Sequence, residues 1–320
     1  MDCNQARKEK KSARELVAHM KSKGITFDKI GEDDAVSFLR TKNNYFRVGA
    51  FRKLFPKHEG GASNGCYISL DFGDLVQLSY VDQALRSTLR MMSLDLEHYE
   101  KVALLDRIAE DDAEDAYSIV RDYKASLAEG RRRSLERELS ARRGDVYCGD
   151  LLSKYSGDMP AWVFLEVASF GTFTDFCRFC SKRWDDSELR DLHFMLLKAK
   201  SIRNAASHGA CIINGFAEKG ARSRQRSRLP RKTSNMLGEV GLSKARREKW
   251  LDNPRMRDIV ALACLFSARV AEGKARDAVV GRLSSFYKES AERLRDLPSN
   301  NPAVAGIDFM KALTDGLSLK

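Results

Sequence analysis

An all-α fold follows from three features of this 320-residue chain. Proline is scarce, with 6 residues, so few positions break a helix. Long stretches are rich in Ala, Leu, Glu, Lys and Arg, the residues that lose least on entering a helix. Within those stretches apolar residues recur at three- and four-residue steps. The length allows one large domain or two ordinary ones, with enough apolar material for a core.

The elements can be argued in order. A first helix is predicted over 5–23, with Leu16, Val17 and Met20 on one side and Gly24 closing it. The acids Glu32, Asp33 and Asp34 open a second, with Ala35, Val36, Phe38 and Leu39 inward. Asn44 to Phe55 reads as a short helix ended by Pro56, and 60–65 as a glycine-rich loop. From Asp71 a long helix carries Leu75, Leu78, Val81, Leu85, Leu89 and Met92 on one stripe. A more charged insertion spans about 98–158; its acids Glu110, Asp111 and Asp112 and its arginines Arg131, Arg132 and Arg133 read as solvated faces. A core helix begins after Pro160, and another runs from Ser187 to Ser207. The stretch 215–240 is strongly basic and reads as a loop, and helices over 254–271, 274–295 and 303–317 finish the chain. This division gives an N-terminal helical region (1–70), a helical core (71–214), the basic loop, and C-terminal helices (241–320).

Composition narrows the partners. Lys plus Arg number 56 against 45 Asp plus Glu, a formal net charge of +11, which favours a polyanion. No run reaches transmembrane length, and the charged start lacks the apolar stretch of a secretory signal, so no membrane partner is expected. Seven scattered cysteines point to a reducing cytoplasm rather than a disulfide framework. The close pair Cys177 and Cys180 has no second pair at zinc-site spacing. With Phe173, Phe176 and Phe179 it falls at helical steps, which predicts a buried helix face and no metal or other cofactor.

The chemistry concentrates at one helix end. Leu192, Met195, Leu196, Ala199, Ile202 and Ala206 share a face, at about 100° per residue, and Arg203 lies inside that apolar sector. A guanidinium there must reach solvent, pair with a carboxylate such as Glu166 or Glu97, or meet an anionic ligand. His208 follows five positions later, so on one ideal helix the two side chains diverge by about 140°. They share a site if the helix ends near His208, capped by Gly209, or if two copies each donate to a common cleft. A histidine at a helix C-terminus suits acid–base work, and it equally suits plain capping.

Arg203, Asn204 and His208 match the R-x4-6-H pattern, and further blocks widen the likeness. These are Asn44 to Phe51, Leu78 to Arg86 followed by Glu97, Pro160 to Gly171, and Arg203 to His208 with Asn214. In this order, over roughly two-thirds of the chain, they resemble the Abi-like abortive-infection family, and the last block resembles the signature of HEPN domains. The resemblance implies an all-α, HEPN-like bundle with additional helices at both ends, a homodimer, and a composite cleft. It also implies a toxin-type RNase used against phage. Relatives often carry a second His directly after the first and a basic residue shortly beyond; here those places hold Gly209 and Cys211.

On that reading RNA supplies its own nucleophile, the 2′-hydroxyl, and no metal is needed. His208 is the expected base or acid and Arg203 the stabiliser of charge on the phosphate. Asn204 orients the phosphate or His208, and Glu166 supports Arg203. Arg222, Arg224, Arg226, Arg228 and Arg231 in the basic loop are expected to contact RNA, as substrate or as a regulatory, inhibitory strand. The rival is a bundle that binds RNA without cutting it, prompted by Gly209. A DNA-binding regulator ranks below both, because no helix-turn-helix with a recognition helix is recognisable.

Overall fold

Asp71 starts the spine of the molecule. Its carboxylate accepts the Gly73 amide at 2.7 Å while Asp74 reaches back to the Asp71 amide at 3.1 Å, a reciprocal cap that leaves few orphan donors. The helix it opens, α4 (Phe72–Glu110), runs 39 residues, about 58 Å. In the computed structural model, which describes residues 9–155, 157–218 and 229–319, the chain is all α-helical apart from two short 3-10 helices and two isolated bridges.

Three helices precede the spine: α1 (Ala13–Lys21), α2 (Glu32–Thr41) and α3 (Tyr45–Ala50). Among the described residues the first begins at Ala13, where Ser12 and Glu15 form a capping box; positions 5–8 of the predicted helix lie outside those residues. Asn44 caps α3 through the Arg47 amide at 3.0 Å. What the sequence reads as one helix to Phe55 tightens into a 3-10 turn at Phe51–Leu54 before Pro56.

The charged insertion is helical too: α5 (Ser118–Ser126), α6 (Glu129–Ala141) and α7 (Gly149–Lys154). The sequence left these unassigned because α5 and α6 keep only narrow apolar stripes. Then come α8 (Ala161–Val167), α9 (Phe170–Arg183) and α10 (Ser187–Ser207). Tyr123 of α5 meets Phe164, Phe176 and Phe179 at ring separations of 5.1–5.6 Å, which locks the insertion onto α8 and α9. Cys177 and Cys180 lie in this buried face, where burial pushes both thiols up. That agrees with their reading as core residues.

Beyond α10 the sequence reading needs correction. Residues 231–239 of the supposed loop form a helix, α11 (Arg231–Glu239), and α12 (Lys244–Asp252) was not anticipated. Both are polar, with one or two anchoring side chains each, such as Leu237 and Trp250, so periodicity gave little signal. The chain ends with α13 (Pro254–Arg269), α14 (Lys274–Arg293) and α15 (Pro302–Gly316). α13 packs against both α4 and α10, α14 lies along α4, and α15 rests on α13. The C-terminal helices therefore bury the same spine as the central ones, and one hydrophobic cluster runs from Val17 to Leu319.

Candidate functional site

Helix α10 is enclosed by α4, α9 and α13, and its C-terminus carries the predicted residues. It ends where predicted: His208 is the C-cap, and Gly209 turns the chain at φ +69°, a conformation that glycine adopts without strain. The Ala210 amide closes back on the Ala205 carbonyl at 2.9 Å. The His208 side chain is exposed. The other histidine of this helix, His193, is buried, with Nδ1 2.8 Å from the Thr174 carbonyl, and burial lowers its pKa. Of these two, His208 is the one placed to meet a macromolecular ligand.

Arg203 is half-buried, its side chain 29% exposed. Its Nη1 donates to Asn204 Oδ1 at 3.0 Å, its Nη2 stands 3.8 Å from Glu97, and the guanidinium lies 5.9 Å from the centre of the Phe170 ring. The carboxylate facing Arg203 is thus Glu97 of α4, and the expectation for Glu166 is corrected: Glu166 is exposed on α8. Glu97 also holds Lys101 at 3.0 Å, and the Lys101 ammonium donates to the Ala168 carbonyl at 3.2 Å, at the α8–α9 junction. One carboxylate shared by two cations leaves net positive charge beside Asn204. Arg203 and Asn204 are joined, whereas no contact joins Arg203 to His208 within the described residues of one chain; their divergence along the helix explains why.

The cap is held by three groups that sequence reasoning did not assign to the site. Arg47 of α3 donates from Nη2 to the Gly209 carbonyl at 2.7 Å. Asp82 of α4, fully buried, accepts the Ile212 and Ile213 amides at 2.7 and 2.9 Å and pairs with Arg86. Burial pushes the Asp82 carboxyl up, against the pull of those amides and of Arg86. Arg255 of α13 donates to the carbonyls of Cys211 and Ile212 at 2.7 and 3.0 Å and to Asn214. An added Cβ at Gly215 would stand 2.1 Å from Arg255 Nε, so that glycine is required for the close approach. Arg47 and Asp82 lie inside two of the quoted blocks, which was the available signal; nothing in the sequence pointed to Arg255.

Gly209 itself stands against Arg47. A Cβ there would lie 2.6 Å from Arg47 Nη2, on top of the positive φ. A histidine there would have to strain the backbone and push the Arg47 guanidinium aside. Arg231 opens α11 and is exposed; Arg222, Arg224, Arg226 and Arg228 lie outside the described residues. No group of three or more His, Cys, Asp or Glu suited to a metal ion occurs among the described residues, and none of their helices is long and apolar enough to cross a membrane.

Comparison with known proteins gives one positive result. Residues 38–214, more than half of the chain, match the model of a family described as Abi-like protein. That interval holds the whole α10 site together with Arg47, Asp82 and Glu97, and it omits Arg255. No curated protein and no solved structure gives a significant match.

Proposed function

The chain belongs to the Abi-like protein family, and from that premise we propose that it is a metal-independent endoribonuclease of abortive-infection defence, cutting RNA between two copies of the α10 end. Family membership points to abortive infection as the setting. The reading rests chiefly on the combination of an exposed imidazole at His208 with a backbone immobilised by Arg47, Asp82 and Arg255. A merely capping histidine would not need three long-range anchors, whereas a general acid–base must be held to about half an ångström.

The chemistry follows from the groups present. His208 takes the proton of the 2′-hydroxyl, and that oxygen attacks the adjacent phosphorus. The bond to the 5′-oxygen breaks, and the leaving oxygen receives a proton from His208 of a second copy. Arg203, steered by Asn204 and Glu97, neutralises the charge that grows on the non-bridging oxygens. The product is a 2′,3′-cyclic phosphate. Because Arg203 and His208 diverge on one helix, pairing of two copies supports both reaching the same phosphate. The basic segment from Lys219 to Lys232, with Arg231 at the start of α11, would add contacts that hold the strand without reading its sequence.

One observation favours a second reading, an RNA-binding protein that does not cut. The place where relatives often carry another histidine holds a glycine at positive φ, against the Arg47 guanidinium. The test separates the two. Purified wild type should cleave a labelled RNA pool in excess EDTA and leave cyclic phosphate ends. Arg203→Ala and His208→Ala should each lose at least about 10²-fold. Equal cutting by all three proteins, or cutting that EDTA abolishes, would reject the proposal; binding without cutting would establish the second reading.

A further inference from the structure

Between Asp34 and Glu59 the chain carries six cations, Arg40, Lys42, Arg47, Arg52, Lys53 and Lys57, and no acid. They lie on or just after α2, α3 and the following 3-10 turn, and one of them, Arg47, reaches the residue that follows His208. Among the described residues their partners are almost all neutral. Arg47 donates to the Gly209 carbonyl, Arg52 to the Gly49 carbonyl and Tyr45 hydroxyl, and Lys57 lies 4.7 Å from the Tyr67 ring centre. Lys53 alone meets a carboxylate, Glu218, at 3.7 Å with both side chains well exposed. Between Lys42 and Arg47 in the sequence stands Phe46, 87% exposed, touched edge-on by Tyr45 at 6.1 Å.

We propose that this surface is a platform for unpaired RNA, on which Phe46 stacks a nucleobase while Arg40, Lys42 and Lys53 follow the phosphates. At 87% exposure the Phe46 ring offers a free face on which a base can stack. A second copy of this chain would bring the same six positive charges against themselves, which disfavours that occupant; a polyanion is favoured by every one of them. Stacking requires a base freed from its partner strand, so the platform selects single-stranded segments, whereas duplex RNA keeps its bases stacked inside the helix. Because Arg47 ties the platform directly to the residue after His208, a base held on Phe46 would set which linkage lies at the imidazole. The inference rests on the reading of RNA as the ligand of this chain, though not on its being cut.

The test is binding, measured in the His208→Ala background so that cleavage does not intervene. The probe is a fluorescein-labelled oligoribonucleotide of about 16 nucleotides, alone or annealed to its complement. Phe46→Ala should weaken single-strand binding about tenfold or more, Phe46→Trp should restore it, and duplex binding should be indifferent to both. Charge reversal of Arg40 and Lys42 together should reduce the salt dependence of binding. Unchanged single-strand affinity in Phe46→Ala, an equal loss on duplex, or a change from dimer to monomer on substitution would each overturn the proposal. If wild type binds through Phe46 yet never cuts, this inference stands and the nuclease reading falls; if it cuts and Phe46→Ala binds normally, the reverse holds.

Discussion

Arg47 and Gly209 are 162 positions apart in sequence, and the Nη2 of one donates to the carbonyl of the other at 2.7 Å. This bond joins the N-terminal helices to the end of α10 and sets the residue that follows His208.

Gly209→His, which would put a second histidine directly after His208, should therefore destabilise the protein. The left-handed conformation alone costs about 1–2 kcal/mol for a residue with a Cβ, and the clash with Arg47 adds to it. Urea denaturation should show a loss beyond that figure. Adding Arg47→Ala should recover the steric part and leave the conformational part, a non-additivity that a double-mutant cycle would read.

Asp82→Ala should be among the most damaging single changes in the chain. It would strand the Arg86 guanidinium, whose side chain is 11% exposed, and orphan the Ile212 and Ile213 amides. Breaking a buried pair from one side costs about 3–5 kcal/mol. Asp82→Asn keeps an acceptor for the amides and should cost less. Equal denaturation midpoints for the two variants would contradict this account.

Glu97 is argued to position Arg203 and not to touch RNA, so Glu97→Gln should lower kcat by about tenfold, close to 1.4 kcal/mol, with KM for RNA unchanged. Glu166→Gln, on the exposed side of α8, should leave both constants as they are. A fall in activity from Glu166→Gln alone would return that residue to the site.

Asp258 of α13 gives a pH dependence. Burial raises its pKa from 3.8 to about 6, against the Ser201 hydroxyl, Lys198 and Arg257, which favour the charged form. The folded state thus binds this proton more tightly than the unfolded chain. Its contribution is fully present below about pH 4 and is lost as pH rises through about 6. The loss is at most about 3 kcal/mol, since each unit is worth about 1.4. Asp258→Asn should flatten the stability profile across that window, measured by denaturant midpoint against pH. A wild-type profile with no fall there would show that the carboxyl is better solvated than its surroundings indicate.

Much of the fold was legible because helices announce themselves locally. Val81, Leu85, Leu89 and Met92 on one stripe draw α4 as far as about 97, but its last stretch, 98–110, was read as part of the charged insertion; Gly209 after His208 is enough to end α10. Where the local signal is thin, the reading failed: α11 and α12 are polar, and α6 buries Leu135 alone, so their helicity depends on neighbours. The same limit applied to the site. Arg203, Asn204 and His208 are close in sequence and could be picked out together, but a carboxylate partner is a matter of distance in space. Glu97 and Glu166 were both candidates, and the sequence favoured Glu166 as the support of Arg203. The antiparallel packing of α4 on α10 brings Glu97 to Arg203 and leaves Glu166 outside. Residue identity and helical period are properties of neighbouring positions and can be read along the chain. Which cation meets which carboxylate, and that Arg47, Asp82 and Arg255 converge on one turn, arises only when helices far apart in sequence pack against each other.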